Sequence, residues 1–483
     1  MPSPLERYPT YTSNIGIEVH VQLSTKTKIF CTCDNTVCKE PNKNICPVCA
    51  GYPGVLPVLN QQVVHYAIMM GLATHCKIAP KTYFDRKHYF YPDLPKGYQI
   101  TQNDHPICSQ GYVTIRLEDG SSKKIRLTRI HMEEDAGKNI HSPVSNESFV
   151  DLNRAGTPLL EIVTYPDIAN AYEARAYLKA LHTIVRYINV GTANMEEGAF
   201  RADTNISVRK KDTEKLGTRV EMKNINSFKF ISDAIDYEIE RHIELIESGQ
   251  KIRQETRLWD TKNHKTIMMR SKEEAADYRY FQEPDLPLLE ITPEFIQRAQ
   301  DDLPELPDQK LERLMKKNGL SEYEAAIIVD DLELSKYYEQ AAAINPSKTI
   351  VNWILRDILG YLKEHKIELA ALKVTPKKLA TIVTLLENDT INNKAAKEIF
   401  DAVAQTGGEP ESIMETQGLK AIGSSDELEA IVIEIIKANP EVVADYKSGK
   451  DRLFGFFVGQ AMKQTSGKGN PKILSDLFKK HLG

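Results

Sequence analysis

Apolar and polar residues alternate along the first part of the chain. From residue 15 to residue 23 every second residue is apolar, and Glu18, His20 and Gln22 occupy positions between them. A period of two places these polar side chains on one face of a strand and the apolar ones on the other. Three further segments show strand-like patterns: residues 158–163, 201–208 and 218–223.

Helical periodicity replaces strand periodicity later in the chain. Apolar residues at helical spacing predict one early helix over residues 171–188, and helices dominate from about residue 295. Ser321 and Glu324 form a capping box, which is typical of a helix start. The glycine-containing segment 406–410 predicts a hinge. The pattern therefore indicates a β-rich first part and a helical second part.

Composition is that of an ordinary globular protein, with 41% hydrophobic and 27% charged residues. A chain of 483 residues is too long for one hydrophobic core, so two to four domains are expected. The net charge of −5 supplies no overall basic field, so any nucleic-acid binding requires a local basic patch. Because no membrane span or signal segment is visible, we expect a cytoplasmic protein without a membrane partner.

Four of the seven cysteines lie in two close pairs. Cys31 is paired with Cys33, and Cys46 with Cys49. Four thiolates in this arrangement suit tetrahedral Zn²⁺, and a closed set of four ligands indicates a structural site. Cys38 is a possible replacement for one ligand, and four reduced thiols without a metal are the alternative.

The run from residue 128 to residue 138 concentrates charge. It contains His131, Glu133, Glu134 and Asp135. Neighbouring carboxylates are costly to bury unless a cation such as Mg²⁺ or a basic ligand holds them. The alternative is a solvated acidic turn, since charge runs are common on protein surfaces.

Charged residues also mark the polar faces of the predicted strands. Glu18 and His20 project together, and Glu161 lies among apolar residues where it is expected to be partly buried. Arg201 and Asp203 share a face of another strand. These faces predict a concave sheet that lines a polar cleft able to bind Mg²⁺ and phosphates. The solvated face of an antiparallel sheet is the alternative.

Common nucleotide-binding and catalytic motifs are missing from the sequence. It contains no Gly-x-x-x-x-Gly-Lys-Ser/Thr phosphate loop, no protein-kinase signature set and no Gly-x-Ser-x-Gly nucleophile elbow. A reaction on a nucleotide would need a different fold and a metal-centred site. The pattern alone indicates a metal-dependent enzyme, or a protein that binds a polar ligand, with a structural zinc site.

Several segments together closely resemble the GatB family, which supplies one subunit of the aspartyl/glutamyl-tRNA amidotransferases. The matching segments are residues 15–23, 46–57, 84–93, 131–138, 150–161, 195–198, 201–205 and 456–463. The resemblance runs nearly end to end. It implies an α+β fold: a mainly antiparallel β-sheet cradle domain (1–295), an all-α helical domain (296–406) and a small helical tail domain (407–483).

The resemblance also implies an activity. GatB proteins form a heterotrimer with an amidase subunit and a small third subunit. This heterotrimer acts on tRNA misacylated with Glu or Asp. The GatB subunit uses ATP and Mg²⁺ to phosphorylate the side-chain carboxylate of the attached amino acid. Ammonia released from glutamine by the amidase then displaces the phosphate, which gives Gln-tRNA(Gln) or Asn-tRNA(Asn).

By resemblance, the catalytic group consists of acidic and imidazole side chains: Glu18, His20, Glu133, Glu134, Glu161 and Asp203. Within it, His20, Glu134 and Glu161 are the expected magnesium ligands, whereas the individual roles of Glu133 and Asp135 stay open. The basic residues expected along the substrate or ammonia path are Arg86, Lys87 and Lys96. The cysteine pairs match the zinc-bearing version of the family, and Cys38 falls outside that pattern.

Basic residues cluster near glycines at the end of the chain: Lys450, Arg452, Lys463, Lys468 and Lys472. Phosphate contacts from such residues would give salt-sensitive tRNA binding, and a basic solvated helix end is the alternative.

At the level of the whole protein, a non-catalytic tRNA-binding adaptor of the same complex is the second hypothesis. A metal-dependent hydrolase acting alone is the third.

Overall fold

The computed structural model describes residues 2–142, 144–225, 227–271, 277–421, 425–465 and 469–483. These residues form two compact units that divide after Pro307. Strand pairing in the first unit is antiparallel except for one parallel pair, and the second unit is helical. The predicted class, a mainly antiparallel sheet followed by helices, is confirmed.

The strands of the first unit are β1 (Tyr11–Gln22), β2 (Lys77–Ile78), β3 (Lys81–Thr82), β4 (Asp85–His88), β5 (Tyr98–Thr101), β6 (Cys108–Ser109), β7 (Tyr112–Arg116), β8 (Ser122–Glu134), β9 (Lys138–His141), β10 (Ser148–Asp151), β11 (Pro158–Thr164), β12 (Phe200–Lys210), β13 (Val220–Ile225), β14 (Glu255–Asp260), β15 (Lys265–Ser271), β16 (Phe281–Gln282) and β17 (Leu289–Glu290). Within the described residues, ten of them form one sheet in the order β15-β14-β13-β12-β1-β11-β8-β6-β2, with β7 paired to β8. Smaller sheets pair β9 with β10, β3 with β17, and β4 with both β5 and β16. Because β1 lies between β11 and β12, its polar face has strand neighbours on both sides.

The described helices of the first unit pack against this sheet or against one another. They are α1 (Pro4–Arg7), α2 (Gln61–Ala73), α3 (Ala171–Tyr187), α4 (Phe228–Glu247) and α5 (Pro293–Asp301). Ile15, Ile17 and Val19 of β1 are fully buried in one core with Leu178 and Leu181 of α3. Since the apolar half of each alternating strand is used in this core, the opposite, polar half is available for a functional site.

The second unit contains α6 (Pro307–Asn318), α7 (Glu322–Asp330), α8 (Leu332–Ile344), α9 (Lys348–Asn352), α10 (Leu359–His365), α11 (Pro376–Glu387), α12 (Asn393–Thr406), α13 (Pro410–Thr416), α14 (Ser425–Ala438), α15 (Pro440–Lys447), α16 (Phe454–Gln464) and α17 (Pro471–Leu482). A π-helical turn, Trp353–Ile358, connects α9 and α10. The predicted capping box is confirmed, because Glu324 N donates to Ser321 Oγ and Ser321 N donates to a Glu324 carboxylate oxygen at 2.7 Å. None of the described helices is long and apolar enough to cross a membrane.

The predicted boundary at residue 295 falls inside α5. This helix packs on α2 of the first unit, and His65 Nε2 of α2 lies 3.0 Å from Asp302 Oδ2 just beyond α5. At the predicted hinge, Gly407 ends α12 with a φ of +76° and its carbonyl oxygen accepts a hydrogen bond from Lys378 Nζ at 2.6 Å. Helices α14, α16 and α17 share a separate core. The division into 1–295, 296–406 and 407–483 stays a prediction.

Candidate catalytic and zinc sites

Four adjacent strands bring charged side chains into one row. In the strand register, His20 of β1 lies opposite Glu161 of β11 on one side and Arg201 of β12 on the other. Glu161 lies opposite His131 of β8. Directly opposed residues project from the same face of a sheet. The row Arg201–His20–Glu161–His131 therefore crosses the polar face of the central sheet.

Glu133 joins this row from the next position on the same face of β8. His20 Nε2 lies 3.5 Å from Glu133 Oε1 and 3.3 Å from Glu161 Oε2. His131 Nε2 lies 3.7 Å from Glu133 Oε2 and 3.5 Å from Glu161 Oε2. One ligand atom each from His20, Glu133 and Glu161 can be chosen so that the three lie within 4.8 Å of one another. Two carboxylates and an imidazole at this spacing are able to hold a divalent cation.

Glu134 is not brought to this cluster. Its carboxylate forms an ion pair with Lys96, and its Oε1 accepts a hydrogen bond from Ile100 N at 2.9 Å. Residues next to each other on a strand project to opposite faces, so Glu133 and Glu134 cannot share one site on straight β8. Of the predicted magnesium ligands, the structure groups His20 and Glu161, and Glu133 occupies the place expected for Glu134.

The imidazole and carboxylate groups of the cluster shift one another's pKa values. Burial opposes protonation of His131, but the carboxylates of Glu161 and Glu133 outweigh it and raise the pKa of His131 to about 9. The same balance, with burial opposing and Glu161 favouring the charge, raises the pKa of His20. Burial opposes the charge on Glu161, yet His131 and His20 hold the pKa of Glu161 well below its usual range. A divalent cation bound here would replace the positive charge of His131 as the counter-charge of the two carboxylates.

A second row of charged residues flanks the cluster along the same face. Glu18 lies opposite Asp203 of β12, and its Oε1 accepts a hydrogen bond from Asn205 Nδ2 at 3.2 Å. Asp203 forms an ion pair with Lys223 of β13 at 2.9 Å. Burial and the neighbouring Glu161 raise the pKa of Glu18. Glu18 therefore interacts electrostatically with the cluster, whereas the charge of Asp203 is balanced by the ammonium group of Lys223.

Two residues of this region had no role assigned from the sequence, His131 and Asp135. His131 was not assigned a role, although its spacing of two from Glu133 places both on one face if the run is a strand. Arg201 Nη2 lies 2.9 Å from Asp135 Oδ2, which also accepts a hydrogen bond from Gln22 Nε2 at 3.0 Å. Asp135 therefore fixes the end of the acidic run against β1 and β12.

The three predicted channel residues point to different partners. Lys87 of β4 lies 4.9 Å from the centre of the Tyr278 ring. Burial opposes its charge, but the carboxylates of Glu133 and Glu161 contribute to an interaction that outweighs burial and raises the pKa of Lys87. Arg86, on the opposite face of β4, binds the Glu283 carboxylate with two hydrogen bonds of 2.7 and 2.9 Å, and Lys96 pairs with Glu134 as described above. Of these three residues, Lys87 is the one whose charge interacts with the carboxylates of Glu133 and Glu161.

The two cysteine pairs converge on one point. Ligand atoms of Cys31, Cys33, Cys46 and Cys49 all lie within 4.8 Å of one another, and the Sγ atoms of Cys46 and Cys49 are 3.9 Å apart. Tetrahedral zinc with bonds of about 2.3 Å places its sulfur atoms about 3.8 Å apart. The four thiols therefore fit a closed zinc site. The Cys38 thiol turns instead to the carbonyl oxygen of Glu40 at 3.5 Å.

The predicted tRNA-binding residues of the tail are exposed where the structure describes them. Lys450, Arg452, Lys463 and Lys472 are accessible to solvent. Lys450 also forms an exposed ion pair with Asp445. Lys468 lies outside the described residues. These positions are compatible with phosphate contacts, and tRNA binding by the tail stays a prediction.

Comparison with known proteins places the chain in a family. A family model of the GatB/GatE catalytic domain matches residues 13–297, and a GatB domain model matches residues 336–482. The chain is 50% identical over 471 residues to the GatB subunit of the aspartyl/glutamyl-tRNA(Asn/Gln) amidotransferase of Persephonella marina, covering 97% of this chain and 98% of that protein. The corresponding subunit of Thermodesulfovibrio yellowstonii is 48% identical over 473 residues, covering 98% and 99% of the two chains. The chain belongs to the GatB family of aspartyl/glutamyl-tRNA(Asn/Gln) amidotransferase subunits.

Proposed function

We propose that this chain is the subunit of a tRNA-dependent amidotransferase that activates a tRNA-bound carboxylate. The substrate is tRNA(Gln) misacylated with Glu, tRNA(Asn) misacylated with Asp, or both. The reaction is an ATP-dependent carbon–nitrogen ligation with glutamine as the amide donor. Family membership supports the reaction class. The observation that carries the catalytic assignment is the convergence of His20, Glu133 and Glu161 on the polar face of the central sheet.

The chemistry requires activation because a carboxylate is a poor acyl donor. A side-chain carboxylate oxygen attacks the γ-phosphorus of ATP, and ADP leaves as the new oxygen–phosphorus bond forms. Ammonia then attacks the acyl carbon, the carbon–oxygen bond to the phosphoryl group breaks, and inorganic phosphate leaves. Loss of a proton from nitrogen gives the amide. Negative charge shifts between oxygen atoms in both steps. The site must therefore place positive charge near its two anionic substrates, ATP and the misacylated tRNA.

The residues of the cluster would divide this work. His20, Glu133 and Glu161 would hold Mg²⁺, which neutralises charge on the transferring phosphoryl group when it is bound. Lys87 would place a second positive charge beside the reacting carboxylate and so favour its approach to the acidic cluster. Glu18 and Asp203 would order the adjoining face through Asn205 and Lys223.

We further propose partners and location. A separate amidase subunit would release ammonia from glutamine, and a small third subunit would complete a heterotrimer in the cytoplasm. The cysteine site would hold a structural Zn²⁺, because its four sulfur ligands leave no position for substrate. The exposed basic residues of the tail would contact tRNA phosphates.

Free ammonia separates the activity of this chain from that of the amidase. We expect the purified complex, supplied with ammonium chloride and no glutamine, to convert Glu-tRNA(Gln) or Asp-tRNA(Asn) only when ATP and Mg²⁺ are both present. The measurement is the identity of the amino acid recovered from the tRNA. Conversion without ATP, or failure with both misacylated tRNAs under full conditions, would contradict the proposal. The second candidate, a non-catalytic adaptor, requires that substitutions in the carboxylate cluster leave this conversion unchanged.

A further inference from the structure

Lys28 carries an amino group into the interior next to the cysteine site. It follows β1 in the chain, and its side chain is 0% exposed, which makes it one of the largest fully buried side chains. Lysine is almost never fully buried unless its charge is paired, because removing an ammonium group from water is very costly. Its surroundings must therefore supply an anion or a set of strong acceptors.

The acceptors around Lys28 Nζ come from three segments of the chain. The carbonyl oxygen of Asn44 lies at 2.7 Å and that of Leu152 at 3.5 Å, and Cys49 Sγ lies at 3.6 Å. Among the described residues no carboxylate pairs with Lys28. Carbonyl oxygens are dipoles without net charge, so the nearby group able to carry the balancing negative charge is the thiol of Cys49.

Cys49 is surrounded by groups that favour its thiolate. Its sulfur accepts a hydrogen bond from Cys46 N at 3.2 Å. The ammonium group of Lys28 lies 3.6 Å from the same sulfur, so two N–H donors converge on it. Cys49 is also the buried member of the four cysteines.

We infer that Lys28 is a built-in counter-charge and hydrogen-bond donor to the Cys49 ligand, and that it slows the loss of metal from the cysteine site. This inference rests on the zinc site proposed above. Four thiolates around Zn²⁺ carry a net charge of −2, and one buried ammonium group halves it. An N–H donor to a ligating sulfur also fixes the orientation of that ligand, which is the role of outer-shell partners in metal sites.

The same contacts give Lys28 a positioning role before metal binds. Its ammonium group joins the carbonyl oxygens of Asn44 and Leu152 and lies beside the Cys49 thiol. Lys28 therefore holds the cysteine ligand near its final place by contacts that do not involve the metal. A ligand that is already in place loses less conformational entropy when it coordinates.

The test compares Lys28→Met with Lys26→Met in the full chain within its complex. Lys26 lies two residues away and is exposed, so it controls for loss of one positive charge from the same segment. Zinc content is measured by elemental analysis, and zinc release is followed with an excess of a coloured chelator at neutral pH. We expect one zinc per chain and equal release rates for the unchanged protein and Lys26→Met. Lys28→Met should release zinc about 10- to 100-fold faster.

The outcomes separate the two assignments. Equal release from Lys28→Met and the unchanged protein would overturn the role of Lys28 while leaving the zinc site intact. An unchanged protein without zinc would overturn both the zinc site and this inference, and would leave the amidation reaction untouched. If Lys28→Met does not fold, Lys28→Gln keeps an N–H donor without the charge, and its release should still exceed that of Lys26→Met. A structure of the zinc-loaded protein with Lys28 Nζ bonded to a carboxylate and turned away from Cys49 would also refute the inference.

Discussion

Replacing Glu133 with Gln is expected to reduce ammonia-dependent amidation of misacylated tRNA by about 100-fold or more, the scale of losing one preorganised charged group from a reacting site. The substitution keeps the size of the side chain and removes its negative charge. Glu133 lies within 4 Å of both His20 and His131, so the cluster would lose one of its two carboxylates. A divalent cation would then have one strong oxygen ligand fewer. The measurement is the single-turnover rate with free ammonia, ATP and Mg²⁺.

Glu134→Gln is the matched control because it makes the same chemical change one residue away. Glu134 is buried and paired with Lys96, so its loss leaves a lysine without its counter-charge and should lower thermal stability. The single-turnover rate of the folded variant should fall much less than that of Glu133→Gln. Binding of tRNA should survive in both variants. If Glu134→Gln stopped the reaction and Glu133→Gln did not, the grouping of His20, Glu133 and Glu161 would not be the catalytic one.

Neutralising the exposed basic residues of the tail is expected to weaken tRNA binding and to flatten its salt dependence. The variant replaces four residues with Ala: Lys450, Arg452, Lys463 and Lys472. Each phosphate contact that is lost should reduce the slope of log affinity against log salt by about 0.7 to 0.9. Loss of all four would lower affinity by up to about 1,000-fold at 0.1 M salt. Filter binding of tRNA over a series of salt concentrations measures both quantities.

A control with the same change in net charge distinguishes local contacts from a general field. Four exposed lysines outside the tail serve this purpose: Lys316, Lys336, Lys363 and Lys397. Their replacement with Ala should leave the salt slope nearly unchanged, because a distant exposed charge is screened beyond about 10 Å at 0.1 M salt. The tail assignment fails if both variants change the slope equally, or if the tail variant binds with the slope of the unchanged protein.

Local patterns predicted the elements that have one apolar face. The alternation around His20 gave the strand β1, and the spacing of Leu178 and Leu181 gave the helix α3 to within one residue at its end. By contrast, α2 was not predicted. Most of its residues are buried, from Val63 to Ala73, so it lacks the polar face that makes a helical period visible.

The candidate site required information that a local pattern does not contain. His20 meets Glu161 only because β1 pairs with β11, and this register depends on contacts between segments that are distant in the chain. The expectation of Glu134 came from the family resemblance, and the local pattern left open whether the acidic run is a solvated turn. Once β8 extends through Glu134, a period of two assigns Glu133 to the face of His131.

Transfer of oxygen isotope tests the central proposal most directly. Misacylated tRNA whose amino acid carries ¹⁸O in both side-chain carboxylate oxygens is incubated with the complex, ATP, Mg²⁺ and ammonia in unlabelled water. Phosphorylation of the carboxylate followed by displacement predicts one ¹⁸O atom in each inorganic phosphate released, with one retained in the amide. Phosphate free of ¹⁸O, recovered alongside the amidated tRNA, would contradict an acyl-phosphate route and with it the function proposed for this chain.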